Sequence, residues 1–293
     1  MTCRYPGRVL RTKALRSSSL RLLNDRDRDD VLALCDQDPV VNVFVTSRVH
    51  EAGLDPVRLG GQMWGFVPGG RLTSLCYAGA NLVPVAATPD AIAAFGGRAR
   101  LQGRRCSSIV GPADAIRDLW DLLRPYWRQP REIRRAQPVM AISGPPHVAA
   151  DPLVRRVRPD ELSVLMPASV AMFTEEVGVS PAGPDGGSAY RARVGELIAA
   201  GRAFARIENG QVLFKAEIGA VTSQVCQVQG VWVRPELRGR GLAVAGMAAV
   251  VQEALRSVAP VVSLYVNDFN APARAVYRRV GFTETATLMS VLF

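Results

Sequence analysis

Residues Gln229 to Ala243 read as a strand running into a glycine-bearing loop and then a helix, an arrangement suited to holding phosphate. Amides in the first turn of a helix have no intrahelical acceptor and lie at the positive end of the helix dipole, so they bind phosphate oxygens without any particular side chain. Gly239 and Gly241 let the backbone turn sharply and let a diphosphate approach where a Cβ would stand in the way. Arg238 and Arg240 add positive charge. Further along, Ala273, Val276, Tyr277 and Val280 share one face of a helix, which brings a phenol hydroxyl, a proton donor, to the sheet side. Taken alone, a tyrosine on an apolar stripe is more often a core residue than an acid.

These groups need rigid elements around them. After the loop, Met247, Val250, Val251, Ala254, Leu255 and Val258 form an apolar stripe, with Gln252, Glu253 and Arg256 opposite, so one face of this helix packs on a sheet. Pro260 ends it, and Val261 to Val266 reads as a short strand. Asn267 to Asn270 then leads into the tyrosine-bearing helix, with Pro272 in its first turn and Gly281 past its end. Upstream, the pattern gives helices from Asp160 to about Glu176 and from Ala189 to Ala200, joined by a Gly/Pro/Asp loop. Strands follow at Arg202 to Glu208, Val212 to Val221 and Val225 to Val233. Asn209-Gly210 joins the first two as a hairpin turn.

Arg238-Gly239-Arg240-Gly241-Leu242-Ala243 resembles the phosphate-loop signature of the GNAT superfamily of N-acetyltransferases. Asn270, Ala273, Tyr277, Gly281 and Phe282 resemble that family's second conserved stretch, at the right distance and in the right order. The resemblance covers roughly residues 153 to 293. It implies a mixed, mostly antiparallel sheet flanked by helices, an α/β (α+β) fold, with acetyl-CoA as cosubstrate and no metal. It also implies that the backbone of Val231, Trp232 and Val233 holds the pantetheine arm, with the Trp232 side chain packing on the opposite sheet face. The amides from Arg238 to Ala243, including Leu242, would hold the pyrophosphate. Asn270 would contact the cofactor arm, with Asn267 a neighbouring candidate. Tyr277 would protonate the departing thiolate.

One position departs from the family pattern. Gln227 stands where histone-type members carry a glutamate base. Glu217 on the preceding strand, or Glu175 and Glu176 at the end of the first helix, are the alternatives, and as a helix-end pair the last two have an ordinary reading as solvated charges. The expected activity is acetyl transfer to a primary amine by direct attack on the thioester. The alternative prompted by Gln227 is a non-catalytic acyl-CoA-binding or regulatory protein. The acceptor is an amine-bearing small molecule, peptide or protein, and the motifs leave the choice open, as they do the oligomeric state.

The chain of 293 residues is long enough for two cores. Ser143 to Pro152 concentrates prolines and turn formers and reads as a linker, giving a basic arm at 1–19, a mixed α/β domain at 20–142, a linker at 143–152 and the acyl-transfer domain at 153–293. In the first domain the pattern gives helices at Val31 to Leu34 and after Val40. It also gives a hairpin of Met63 to Val67 with Arg71 to Ala78, a strand at Ser107 to Val110 and a helix at Pro112 to Leu123. This order is compatible with a second, degenerate copy of the same fold, a tandem arrangement. Its nearest loop candidate, Arg100 to Arg105, ends in arginine where a small residue is needed, so it is not expected to bind coenzyme A.

Composition excludes other chemistries. With His50 and His147 as the only histidines, a Ser-His-Asp triad or a histidine-rich metal centre has little to be built from. The cysteines, at 3, 35, 76, 106 and 226, are odd in number and scattered, which reads as reduced thiols. The formal charge is +10, but Lys13 and Lys215 are the only lysines and no basic helix or aromatic stacking platform appears, so nucleic acid is not an expected partner. No run is long and apolar enough to cross a bilayer, and Met1 to Arg21 lacks the apolar centre of a secretion signal, so a cytoplasmic location without a membrane partner is expected.

Overall fold

The computed structural model describes residues 19–181, 183 and 186–293. The expected basic arm lies, apart from Ser19, outside the described residues. The first half runs β1 (Leu20–Leu22), α1 (Arg28–Cys35), α2 (Val43–Ala52), α3 (Pro56–Leu59), β2 (Gly61–Phe66), β3 (Ser74–Gly79) and β4 (Asn81–Val85). It continues through α4 (Pro89–Gln102), β5 (Ser108–Pro112), α5 (Ala113–Leu123) and β6 (Glu132–Ile142). Residues 143–154 hold no helix or strand, and they pack along the second half through His147 N–H to Val280 O and Asp151 N–H to Ala245 O. The second half repeats the order: β7 (Arg155–Arg156), α6 (Leu162–Val177), α7 (Ser188–Ala199), β8 (Ala203–Glu208), β9 (Gln211–Val221) and β10 (Val225–Val233). Then come α8 (Leu242–Ser257), β11 (Val261–Tyr265), α9 (Ala271–Val280) and β12 (Thr283–Leu292).

All the strands join one sheet in the order β1-β2-β3-β4-β5-β12-β6-β11-β10-β9-β8-β7. Among the described residues only β4–β5 and β10–β11 pair in parallel, each across a helical crossover, α4 or α8. The join between the halves is an exchange. β6, from the first half, lies against β11, while β12, from the second, lies against β5, and the two exchanged strands pair with each other. Each half therefore completes its sheet with a strand of the other.

Apolar faces account for the layers. Met247, Val250, Val251 and Ala254 of α8, with Tyr277 and Val280 of α9, pack onto Phe214, Ala216, Cys226 and Val228 of the sheet. On the other face α6 and α7 bury Leu165, Met172, Val194 and Ile198 against Ala203, Ala205 and Trp232. In the first half α4 and α5 cover one face through Phe95, Ile116 and Leu119, and α1 to α3 the other through Val31, Val49 and Leu59. At about 25 cal/mol per Å² of apolar surface removed from water, these layers hold each half on its face of the sheet. The Asn209-Gly210 turn has both residues at positive φ, 49° and 70°, as the hairpin reading requires.

The sequence pattern missed β4, α4 and β6, and it misplaced the first half's loop. Arg100 and Gln102 belong to the last turn of α4, so the Arg100 to Arg105 stretch follows a helix where a phosphate loop precedes one. The counterpart of the β10–α8 loop is the β4–α4 connection at Ala86 to Thr88. Among the described residues no helix is long and apolar enough to cross a membrane.

Candidate active site

The loop between β10 and α8 leaves its amides free. Gly239 and Gly241 have φ of 76° and 84°, a left-handed geometry that favours glycine, and a Cβ built on either would meet nothing within 4 Å. Among the described residues, the amides of Gly239 to Ala243 have no protein acceptor. The Arg238 amide is not part of this set, because it donates to Pro235 O at 3.2 Å. Its guanidinium folds back instead, Nε to Val233 O at 3.0 Å and Nη2 to Glu175 Oε2 at 2.7 Å, while Arg240 is exposed. Five amides at the head of a helix, with open space before them, suit a diphosphate.

Upstream, β10 is bulged. Gln229 pairs with Glu217 and Trp232 with Lys215, so Gly230 and Val231 together oppose Ala216. Gly230 takes φ of 59°, and its carbonyl is held by Lys215 Nζ at 3.1 Å. The parallel register with β11 runs only from Val225↔Val261 to Gln227↔Ser263. Beyond it β11 follows β6 as far as Tyr265↔Val139, and β10 and β11 part. This parting opens a slot between the bulge and the end of β11.

The slot is part of a cavity of about 940 Å³. Val231, Trp232, Glu217, Asn267, Asn270 and Tyr277 line it, together with Glu175 and Glu176. Val233, the loop residues Arg238 to Ala243 and Ala273 do not; Val233 and Ala273 are packed against the core that α8 and α9 cover. Asn270 Oδ1 caps α9 by accepting from the Ala273 amide at 3.2 Å. Asn267 Oδ1 accepts from Gln137 Nε2 at 2.9 Å. The Tyr277 hydroxyl has no hydrogen-bond partner among the described residues, and burial pushes its pKa up. It is therefore a protonated phenol on the cavity wall at neutral pH.

The three candidate bases are placed differently. Glu175 is a strut, accepting from Trp232 Nε1 at 3.2 Å and pairing with Arg238. Glu217 pairs with the buried Lys215 at 3.1 Å and accepts from Gln229 Nε2 at 3.0 Å. The Glu176 carboxylate has no partner among the described residues. Glu176 opens onto the cavity yet is ringed by protein, so desolvation raises its pKa and Glu217 adds to the shift, against the pull of Arg134 and Lys215. Gln227 lies in the paired part of β10, against Ala220 and Ser263, away from the cavity.

Sequence reasoning missed the contribution of the first half. Arg134 on β6 grips Glu132 through two bonds of 3.0 and 3.1 Å and donates from Nη2 to Glu176 O at 2.6 Å, fixing the end of α6. Gln137, on the same strand, also accepts from Ser290 Oγ at 2.6 Å. No local signal marks these residues, since Gln137 and Asn267 are 130 positions apart. The Lys215–Glu217 pair could have been read: a lone lysine two residues before a glutamate in an apolar strand puts both on one face.

Comparison with known proteins agrees with this fold. Residues 173–282 match the acetyltransferase (GNAT) family model, and residues 61–165 match a domain of unknown function, DUF4081. No curated protein matches the sequence. Solved structures similar in fold span nearly the whole chain. An acetyltransferase of the GNAT family from Colwellia psychrerythraea is 13% identical, with TM-score 0.57 and coverage of 94% of this chain and 99% of that one. A GCN5-related N-acetyltransferase from Sphaerobacter thermophilus is 16% identical, with TM-score 0.59 and coverage of 93% and 95%. A tandem GNAT protein from the clavulanic acid biosynthesis pathway is 15% identical, with TM-score 0.55 and coverage of 93% and 98%.

Proposed function

We propose, proceeding from a GNAT acetyltransferase domain at residues 173–282 within a tandem fold, that this protein transfers an acetyl group from acetyl-CoA to a primary amine. The observation that carries this reading is the row of unpaired amides from Gly239 to Ala243 standing beside the parting of β10 and β11. Those amides hold the diphosphate, and the freed edge of β10 at Val231 to Val233 receives the pantetheine arm as an added half-strand. When bound, acetyl-CoA supplies a thioester carbonyl open to attack.

The residues of the cavity do the rest. The backbone bulged at Gly230 and Val231 offers a dipole to the carbonyl oxygen. Glu176, the unpartnered glutamate of the three, takes the proton of the amine, directly or through water. The buried Tyr277 O–H donates a proton to the departing sulfur. Arg134 and Gln137 position Glu176 and Asn267 from the first half, so acceptor and cofactor meet at a site built by both halves.

Isothermal titration should show one acetyl-CoA bound per chain, and an absence of binding would remove the reading. Consumption of thioester across a panel of amines then separates a transferase from an acyl-CoA-binding protein. Binding without turnover on every amine would favour the latter.

A further inference from the structure

Behind the bulge of β10 lies a buried cation, Lys215 on β9, with only 1% of its surface exposed. Its Nζ donates to Glu217 Oε2 and to the Gly230 carbonyl, each at 3.1 Å. Glu217 accepts in turn from Gln229 Nε2 at 3.0 Å. The fit is close: a Cβ built on Gly230 would stand 3.1 Å from Glu217 Cδ and 3.0 Å from Met172 Cε. A buried ion pair adds little net stability, because desolvating both charges offsets much of their attraction. Stability therefore does not account for the pair, and the peptide that Lys215 grips, Gly230–Val231, lies where the register of β10 with β9 shifts.

That grip sets a direction. Among the described residues no peptide bond is cis, and in a trans peptide the C=O and N–H point opposite ways. β9 and β11 flank β10 on opposite sides. With the Gly230 carbonyl held by Lys215 on the β9 side, the N–H of the same peptide, that of Val231, is turned toward β11 and the slot. Val231 lines the cavity and Lys215 does not. A cation on the carbonyl also draws electron density through the peptide and strengthens its N–H as a donor.

We propose that Lys215 is a positioning residue for acetyl transfer: by holding and polarising the Gly230–Val231 peptide from behind, it aims the Val231 N–H at the thioester oxygen, where negative charge grows as the amine attacks. This role rests on the acetyl-transfer reading above. The test is isotope-edited infrared spectroscopy of acetyl-CoA, carbon-13-labelled at the thioester carbonyl and bound to the full chain. On the native protein the carbonyl band should lie at lower wavenumber than in free acetyl-CoA. Lys215→Met should move the band back toward the free position and lower kcat about tenfold or more, while titration shows the affinity for coenzyme A, which has no such carbonyl, unchanged. Where the unpaired Glu217 keeps Lys215→Met from folding, Lys215→Met combined with Glu217→Gln leaves neither charge of the pair and should move the band in the same way. Glu217→Gln alone leaves Lys215 on the Gly230 carbonyl and should keep the band low. The proposal is overturned if the native complex shows the free position, if the lysine variants keep the band low, or if Glu217→Gln alone moves it as far as they do. Acetyl-CoA failing to bind the native chain would instead remove the transferase reading, and this role with it.

Discussion

The β10–α8 and β4–α4 connections occupy the same place in the two halves, after one strand of a parallel pair and at the head of its crossover helix, yet they leave their amides differently engaged. In the second half the loop is Arg-Gly-Arg-Gly and five amides are free. In the first half the loop is Ala86-Ala87-Thr88, and side chains take up part of its hydrogen-bonding capacity. Thr88 Oγ accepts from the Ala91 amide at 3.3 Å, the Thr88 amide reaches Ser74 Oγ at 3.5 Å, and Ser74 Oγ donates to Ala86 O at 2.8 Å. Pro89 then occupies the first turn, where it has no N–H to offer. The same backbone topology leaves a row of donors free in one half and, in the other, spends two of them on side-chain hydroxyls and replaces one with proline.

The sharpest way to break this contrast is to fill the open loop. Gly241→Asp should lower acetyl-CoA affinity by about 10⁴-fold, the loss of three hydrogen bonds to a charged acceptor at about 2 kcal/mol each. Titration should show no such loss for Ala86→Asp, and an equal loss would mean that the first half also holds the cofactor. Within the open site, Glu176→Gln should lower kcat by about 10³-fold. In the native protein activity should fall as pH drops through the raised pKa of the base, because the base must be ionised and desolvation by the protein around it favours its neutral form. A pH–rate profile should lose that acid limb in the variant. If the limb persists, the base is another group.

Tyr277→Phe should lower kcat by about 10²-fold while titration shows acetyl-CoA affinity unchanged. Unchanged turnover would remove the phenol from its role. The smallest effect belongs to the closed loop. Thr88→Ala removes a helix cap and should cost about 1 kcal/mol in urea unfolding, with kcat and cofactor affinity untouched. A change in kcat would show that the first half's loop communicates with the site.

Much of the second half was legible because its signals are local. The glycines at 239 and 241, the α8 stripe and the Asn209-Gly210 turn each lie within a few residues of what they specify. The first half was harder. Its α4 contains Gly96 and Gly97, which blur a helical pattern, and β6 contains Pro138, which argues against a strand until its neighbours are known. The choice among the three glutamates was likewise beyond reach, since Glu175 is engaged by Trp232 and Arg238, 57 and 63 positions away.

By itself the sequence determined the glycine-bearing loop after β10, the helix that carries Tyr277 and the chain order of the strands around them, because backbone geometry and helix periodicity are written in neighbouring residues. Only the tertiary structure decided that β6 and β12 change places, that Arg134 and Gln137 of the first half complete the second half's cavity, and that Glu176 alone of its candidates has no carboxylate partner among the described residues. Those outcomes depend on which strand edges and side chains meet across more than a hundred residues, and no local pattern records such meetings.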